Sequence, residues 1–338
     1  MKQVIECPYC DGQAKMKKEF KELNFRKEAF KVVAHFYKCD KCLEEFTTTD
    51  ADTITILQAH NQYREKYSIP FIEDICATRE KYDLPANKMS EVLGLGVNGY
   101  SNYEKGEIPT PAIGNLINTI SDPNVFIAML HRARNVFTIN AYDKAKSKVE
   151  YLIEKFKEVN PFYCNINQYY DANNYTGYKK PNLNKLANVL IAFITKSSPE
   201  FNDRLKLNKL LFYVDFCNYK LVGYSLTGLS YRAIQYGPVP TFYDNIYTYF
   251  ESEGVICSNW IKEQNGSGKE LFQTTGEFDN KHYSADELET IDTIINKFKN
   301  TSSWDLVDIS HKEKGWIELQ GNKGIISYQE YAFDLVGA

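Results

Sequence analysis

Two C-x-x-C pairs stand near the start of this 338-residue chain, Cys7-Pro8-Tyr9-Cys10 and Cys39-Asp40-Lys41-Cys42. Each loop lets two thiolates reach one ion, and two loops complete the four-sulfur tetrahedron that zinc takes in structural sites. Four cysteine ligands leave no position for a water. The expectation is therefore one structural Zn2+ on Cys7, Cys10, Cys39 and Cys42, holding a fold and supplying no chemistry. The stretch between the pairs must hold structure of its own. Within it Phe30, Val32, Ala34 and Phe36 alternate with less apolar residues, the period of a strand running into the second pair. His35 in that strand reads as a bystander to the metal.

The formal net charge is only -4. No segment is strongly basic, so any DNA contact must come from a local patch and not from bulk attraction. Cys76, Cys164, Cys217 and Cys257 are scattered at unrelated intervals, as reduced thiols are. The N-terminus runs straight into the first cysteine pair without a signal peptide, and no run of about 18 apolar residues occurs. A cytoplasmic protein with no membrane partner is expected.

Thr47-Thr48-Thr49-Asp50 caps a helical stretch over 54–66, which Pro70 ends. Short helices follow over 71–82, 86–93, 97–103, 112–120 and 124–134. Gly94, Gly96, Gly106, Pro109 and Pro111 punctuate them. Five short helices joined by tight turns predict an all-α helix-turn-helix bundle. Asn98 starts the polar run Gly99-Tyr100-Ser101-Asn102-Tyr103-Glu104-Lys105-Gly106, which has the character of a recognition helix. Its candidate DNA-binding residues are Asn98, Tyr100, Ser101, Asn102, Lys88 and Lys105, with Asn98 and Asn102 toward bases and Lys88 and Lys105 toward phosphates.

The cysteine module followed by Gly96-Val97-Asn98-Gly99-Tyr100-Ser101-Asn102-Tyr103-Glu104-Lys105-Gly106 resembles the MqsA/YgiT family of bacterial antitoxins, over about residues 1–135. The resemblance implies a zinc domain ahead of an XRE/Cro-type helix-turn-helix that represses its own operon, with Asn98 as the adenine reader. The protein would bind a palindromic double-stranded operator as a homodimer. The family commonly has Arg where this chain has Asn102. Asn pairs with adenine N6 and N7, which implies a different operator sequence.

Tyr142, Ala145, Val149, Leu152 and Phe156 recur at three- and four-residue steps in a helix over 140–159. That stripe fits a dimer contact and fits a helix lying on the bundle. Residues 160–182, rich in Asn and Tyr, read as a linker that docks on something. Beyond it, Leu183, Leu186, Val189, Leu190, Phe193 and Ile194 mark an amphipathic helix, and 205–216 is apolar on nearly every face, so central and buried. Residues 255–260 and 270–275 flank Asn265-Gly266-Ser267-Gly268, the composition of a hairpin turn, and 286–299 is another amphipathic helix.

Lys206-Leu207-Asn208-Lys209-Leu210-Leu211-Phe212-Tyr213, with Tyr231-Arg232-Ala233-Ile234-Gln235-Tyr236-Gly237-Pro238-Val239-Pro240, resembles the Panacea (SocA-like) domain over roughly 183–333. Ile234 stands where that family usually has Trp. The resemblance implies an antitoxin that binds a toxin protein. Its expected contacts lie at Tyr236, Gly237, Pro238, Val239, Tyr243 and Tyr247, although Tyr236-Gly237-Pro238 also reads as a fold-defining turn.

The expected fold is multidomain and mainly α. It comprises a small β-rich four-cysteine zinc domain over 1–50, the helix-turn-helix domain over 51–135, a connecting helix and linker over 136–181, and an α+β Panacea-like domain over 182–338. The expected function is that of a toxin-neutralising, autoregulating antitoxin. The alternative is a zinc-containing transcription regulator or phage-associated adaptor without a cognate toxin. No G-x-S-x-G nucleophile motif, glycine-rich phosphate loop or His-x-x-x-His pair occurs, so no enzyme is expected.

Overall fold

The computed structural model describes residues 2–155, 171–262 and 268–338. Phe156 with the end of its helix, Cys164, most of the expected linker, and Asn265, Gly266 and Ser267 of the hairpin turn lie outside the described residues. The chain divides into two compact units. One comprises Met1–Leu23, Lys31–Gln58 and Tyr170–Ala338; the other comprises Asn24–Phe30 and Ala59–Tyr169. The mainly helical, multidomain layout with a small N-terminal sheet matches the expectation.

That sheet runs in sequence order, β1 (Val4–Glu6), β2 (Gln13–Phe25), β3 (Glu28–Cys39) and β4 (Glu45–Phe46). Val4 lies opposite Lys15, and Tyr37 opposite Phe46. The strand expected before the second cysteine pair is β3, but its buried set slips phase. Phe30 and Val32 are inside as expected, and then Val33, His35, Tyr37 and Cys39 take over. A one-residue slip exchanges the faces of a strand, so His35 is buried while Ala34 and Phe36 are only half-buried.

β2 has no legible period in the sequence, because lysines and glutamates on both faces hide it. Its turn to β3 gives no signal either, since Arg26 and Lys27 both adopt positive φ (47° and 69°) without a glycine or asparagine. Arg26 is held there by donating to the carbonyls of Ile108 at 2.6 Å and Pro109 at 3.0 Å.

In the second unit, α2 (Ile72–Lys81), α3 (Ala86–Leu93), α4 (Gly99–Glu104), α5 (Pro111–Thr119), α6 (Pro123–Arg132) and α7 (Ile139–Lys155) form the bundle. They follow α1 (Thr49–Lys66), which starts five residues before the expected stretch. Ile75, Tyr82, Met89, Tyr100, Phe126 and Leu130 share one core with Tyr142, Ala145 and Val149. Of the two readings of the α7 stripe, packing on the bundle is the one realised.

The C-terminal part is built around α9 (Arg204–Val222), which follows α8 (Leu183–Lys196) and is buried on nearly every side. Arg204 Nε at its start is buried without a hydrogen-bond partner, but Asp215 and Lys206 within it are paired, as low-dielectric burial demands. Asp215 accepts from the Leu226 and Thr227 N–H groups, the Thr227 hydroxyl and the Tyr231 hydroxyl, all within 2.8 Å. Lys206 donates to the carbonyls of Lys299 and Thr301. The hairpin β5 (Tyr231–Ile234) and β6 (Gly237–Pro240), then α10 (Tyr243–Ser252), the hairpin β7 (Cys257–Lys262) and β8 (Gly268–Gln273), and α11 (Ala285–Phe298), α12 (Ser303–Ser310), α13 (Lys314–Leu319) and α14 (Tyr328–Tyr331) follow.

The described end of the expected linker belongs to the same fabric. Tyr178 is buried, and the Gly177 carbonyl accepts from Ser225 N–H at 2.9 Å. The cysteine-bearing sheet joins it too, since Lys18 donates to the Phe333 carbonyl at 3.1 Å, and Gln58 of α1, which pairs with the backbone of Val33 on β3, accepts from the Gln329 side chain at 2.7 Å.

Candidate metal centre and recognition surfaces

The β-sheet brings the two cysteine pairs together. All four Sγ atoms lie within 4.8 Å of one another. Cys7 and Cys42 are 3.7 Å apart, and Cys10 and Cys39 are 3.6 Å apart. A zinc–sulfur tetrahedron with bonds of about 2.3 Å has edges of about 3.8 Å, whereas a disulfide needs about 2.05 Å. Backbone N–H groups of Tyr9, Gly12, Lys41 and Cys42 point at the sulfurs, 3.3–3.5 Å away. Such donors favour the thiolate. The Cys42 N–H, then that of Lys41, pulls Cys39 down to about 6 against the opposing effect of burial. Gly12 closes the cradle, since a Cβ there would sit 2.7 Å from Lys41 Cβ and 2.9 Å from Cys39 Sγ. The residues fit a four-sulfur metal site.

In the second unit, α3 ends at Gly94 in the left-handed conformation, and the chain turns into α4. Asn98 takes the N-cap position without a side-chain capping bond, while its carbonyl accepts from Asn102 N–H at 2.9 Å. Asn98, Asn102 and Lys105 are exposed, and Ser101 is half-buried. Two expected DNA contacts are placed elsewhere. Tyr100 is a core residue, with its hydroxyl on the Ile75 carbonyl at 2.7 Å and its N–H on Ser90 Oγ at 2.9 Å. A six-residue helix needs an apolar anchor, and Tyr100 is one of two. Lys88 is engaged by Glu91 and the Val136 carbonyl, both at 2.7 Å.

On the C-terminal domain, Gly237, Pro238, Val239 and Tyr247 are buried, which removes them from the expected contact set. Gly237 has φ 92°, and Lys209 and Ser310 press against the place where a Cβ would stand. Tyr247 stacks on Phe272 and donates to Asn208. Tyr243 is half-buried. Tyr236 is exposed and meets Trp304, 63% exposed, edge-on at 5.7 Å. Sequence reasoning misses Trp304. Its one signal is an indole at the start of α12 on the face opposite Leu306, Val307 and Ser310. Ile234, at the family's tryptophan position, accepts instead from Trp316 Nε1 at 2.7 Å, and that indole stacks on His311.

Residues 5–122 match the family described as the antitoxin component of the bacterial toxin-antitoxin system, MqsA, and residues 207–317 match the antitoxin SocA-like Panacea domain. Models of two antitoxin families thus match the N-terminal and C-terminal parts of this chain. The first match contains the four cysteines and α3–α4; the second contains Lys209, the Tyr236–Gly237 turn, Trp304 and Trp316. Both support an antitoxin role. No match to a curated protein was found. Among the described residues no helix is long and apolar enough to cross a membrane.

Proposed function

We propose that this protein neutralises a cognate toxin by direct binding through its C-terminal domain and represses its own operon as a homodimer through α3 and α4. The observation that carries this reading is that models of two antitoxin families match separate parts of a single chain. Tyr236 and Trp304 supply the toxin contact, with Tyr243 at its margin. Exposed rigid aromatics give large contact area at small entropy cost. Asn98 and Asn102 supply base contacts, and Lys105 a phosphate contact. One zinc ion on Cys7, Cys10, Cys39 and Cys42 would supply a cross-link between the loops that flank β2 and β3 and no open coordination position.

The test is co-expression. The small gene beside this one, expressed alone, should arrest growth, and this protein should restore it. Absence of toxicity from either neighbour, or failure of the full chain to rescue, rejects the antitoxin reading. Tyr236→Ala with Trp304→Ala should abolish rescue while leaving the fold intact.

A further inference from the structure

Among the described residues, Val97 is the most exposed large apolar side chain, at 77%. One exposed valine needs no explanation by itself; its position does. The Gly99 N–H donates to the Gly96 carbonyl at 2.7 Å and closes a turn whose two corners are Val97 and Asn98. Asn98 has φ -104° and ψ 5°, close to the third residue of a type I turn, and its side chain makes no capping bond. Both flanking residues are glycines. The space beside Gly96 is open, with no atom within 4 Å of where a Cβ would stand. An isopropyl group and an amide are therefore offered side by side at the tip of the turn, and the glycines on either side add no bulk that would keep a partner away.

In the proposed complex with DNA this tip meets the major groove just ahead of α4. Base edges there carry hydrogen-bond donors and acceptors, and the thymine C5-methyl is the apolar group among them. Val97 set against a polar edge would strip water from it and return no hydrogen bond, which costs affinity. Set against thymine, it buries methyl on methyl. Neighbouring Cα atoms are about 3.8 Å apart, close to the rise of about 3.4 Å between base pairs. With Asn98 on an adenine, Val97 falls on the same base pair or on the next.

We propose that Val97 is a specificity determinant of the DNA-binding surface, reading a thymine methyl in the base pair of the Asn98 adenine or in the pair beside it. The contact is apolar and belongs to the side chain at the turn tip. This inference rests on the DNA-binding reading of α3 and α4 and adds to it a defined chemical group in each operator half-site.

In the experiment the full chain selects duplexes from a random pool, and the enriched half-site is remade with each thymine replaced singly by deoxyuridine, which removes only the methyl. One replacement, at or beside the position where Asn98→Ala relaxes specificity, should weaken binding about fourfold, the worth of one buried methyl group. Val97→Ala should keep the melting temperature of the parent and bind the thymine and deoxyuridine duplexes equally. Val97→Thr, which retains one methyl, should keep part of the difference. Full deoxyuridine sensitivity in Val97→Ala overturns the proposal and leaves the DNA-binding reading standing, as does a parent protein indifferent to every thymine methyl. A pool from which no sequence is enriched overturns both.

Discussion

Lys209 shows what a single buried residue costs and how it can be read. Its ammonium donates to the Pro238 carbonyl at 2.9 Å, and burial drives its pKa from 10.5 down to about 7. Between those values the unfolded chain holds a proton that the folded chain has released, so stability rises with pH across that window. The penalty is complete below about 7 and fades toward 10.5. Lys209→Met removes this dependence. Its unfolding midpoint relative to the parent should be most favourable near neutral pH and should fall back as pH approaches 10.5; a constant difference across the range would refute the assignment.

Asn98 and Lys105 separate in a different way. Asn98→Ala should cost about 1–3 kcal/mol on the operator and relax specificity at one base position. Lys105→Ala should weaken all sequences alike and flatten the salt dependence. Binding titrations on operator and random duplexes at several salt concentrations decide both, and equal losses for Asn98→Ala on the two duplexes would remove it as a base reader.

Among the elements, the turn between α3 and α4 and the turn between β5 and β6 both need glycine, for different reasons. Gly94 has φ 68° with open space around it, so Gly94→Ala meets only the backbone penalty of about 1–2 kcal/mol. Gly237 has φ 92°, and a Cβ there would lie 2.6 Å from Lys209 Cε and closer still to Ser310. Gly237→Ala should therefore cost clearly more than Gly94→Ala in denaturant unfolding. Equal losses would mean that the β5–β6 turn yields easily, contrary to its buried setting. This also explains why the Tyr236-Gly237-Pro238 motif contributes only its tyrosine to the surface. The glycine and proline serve the fold.

Across the molecule, the cysteine-bearing sheet shares a unit with the C-terminal helices, although residues 59–169 separate them in sequence. Metal removal should accordingly reach beyond the N-terminal segment. Freshly purified reduced protein should hold about one zinc per chain. Chelation should then lower the melting temperature of the full chain and speed labelling of half-buried Cys217 on α9. Slower or unchanged labelling of Cys217, with the metal gone, would show that the sheet and the helices unfold independently. For the same reason, a fragment starting near residue 171 should melt below the full chain. It lacks Gln58, which meets Gln329, and Lys18, which meets Phe333.

What depends on local chemistry is legible from the residues alone. Two C-x-x-C loops point to one four-cysteine cluster, and glycines and prolines at the right intervals end short helices, so the gathering of those cysteines and α2 to α6 are legible from the chain. The two antitoxin resemblances rest on equally local runs. What depends on which face is covered is set by packing. Tyr100 and Tyr247 are aromatic and polar-tipped like any surface tyrosine, and only their neighbours turn them inward to the Ile75 carbonyl and Asn208. β2 carries charge on both faces and exists because strands flank it on both sides. His35 enters the interior because the β3 pleat changes its buried face at Val33, and no residue type announces that change. The association of residues 1–23 and 31–58 with the C-terminal part arises from contacts among residues far apart in sequence, which local periodicity cannot encode.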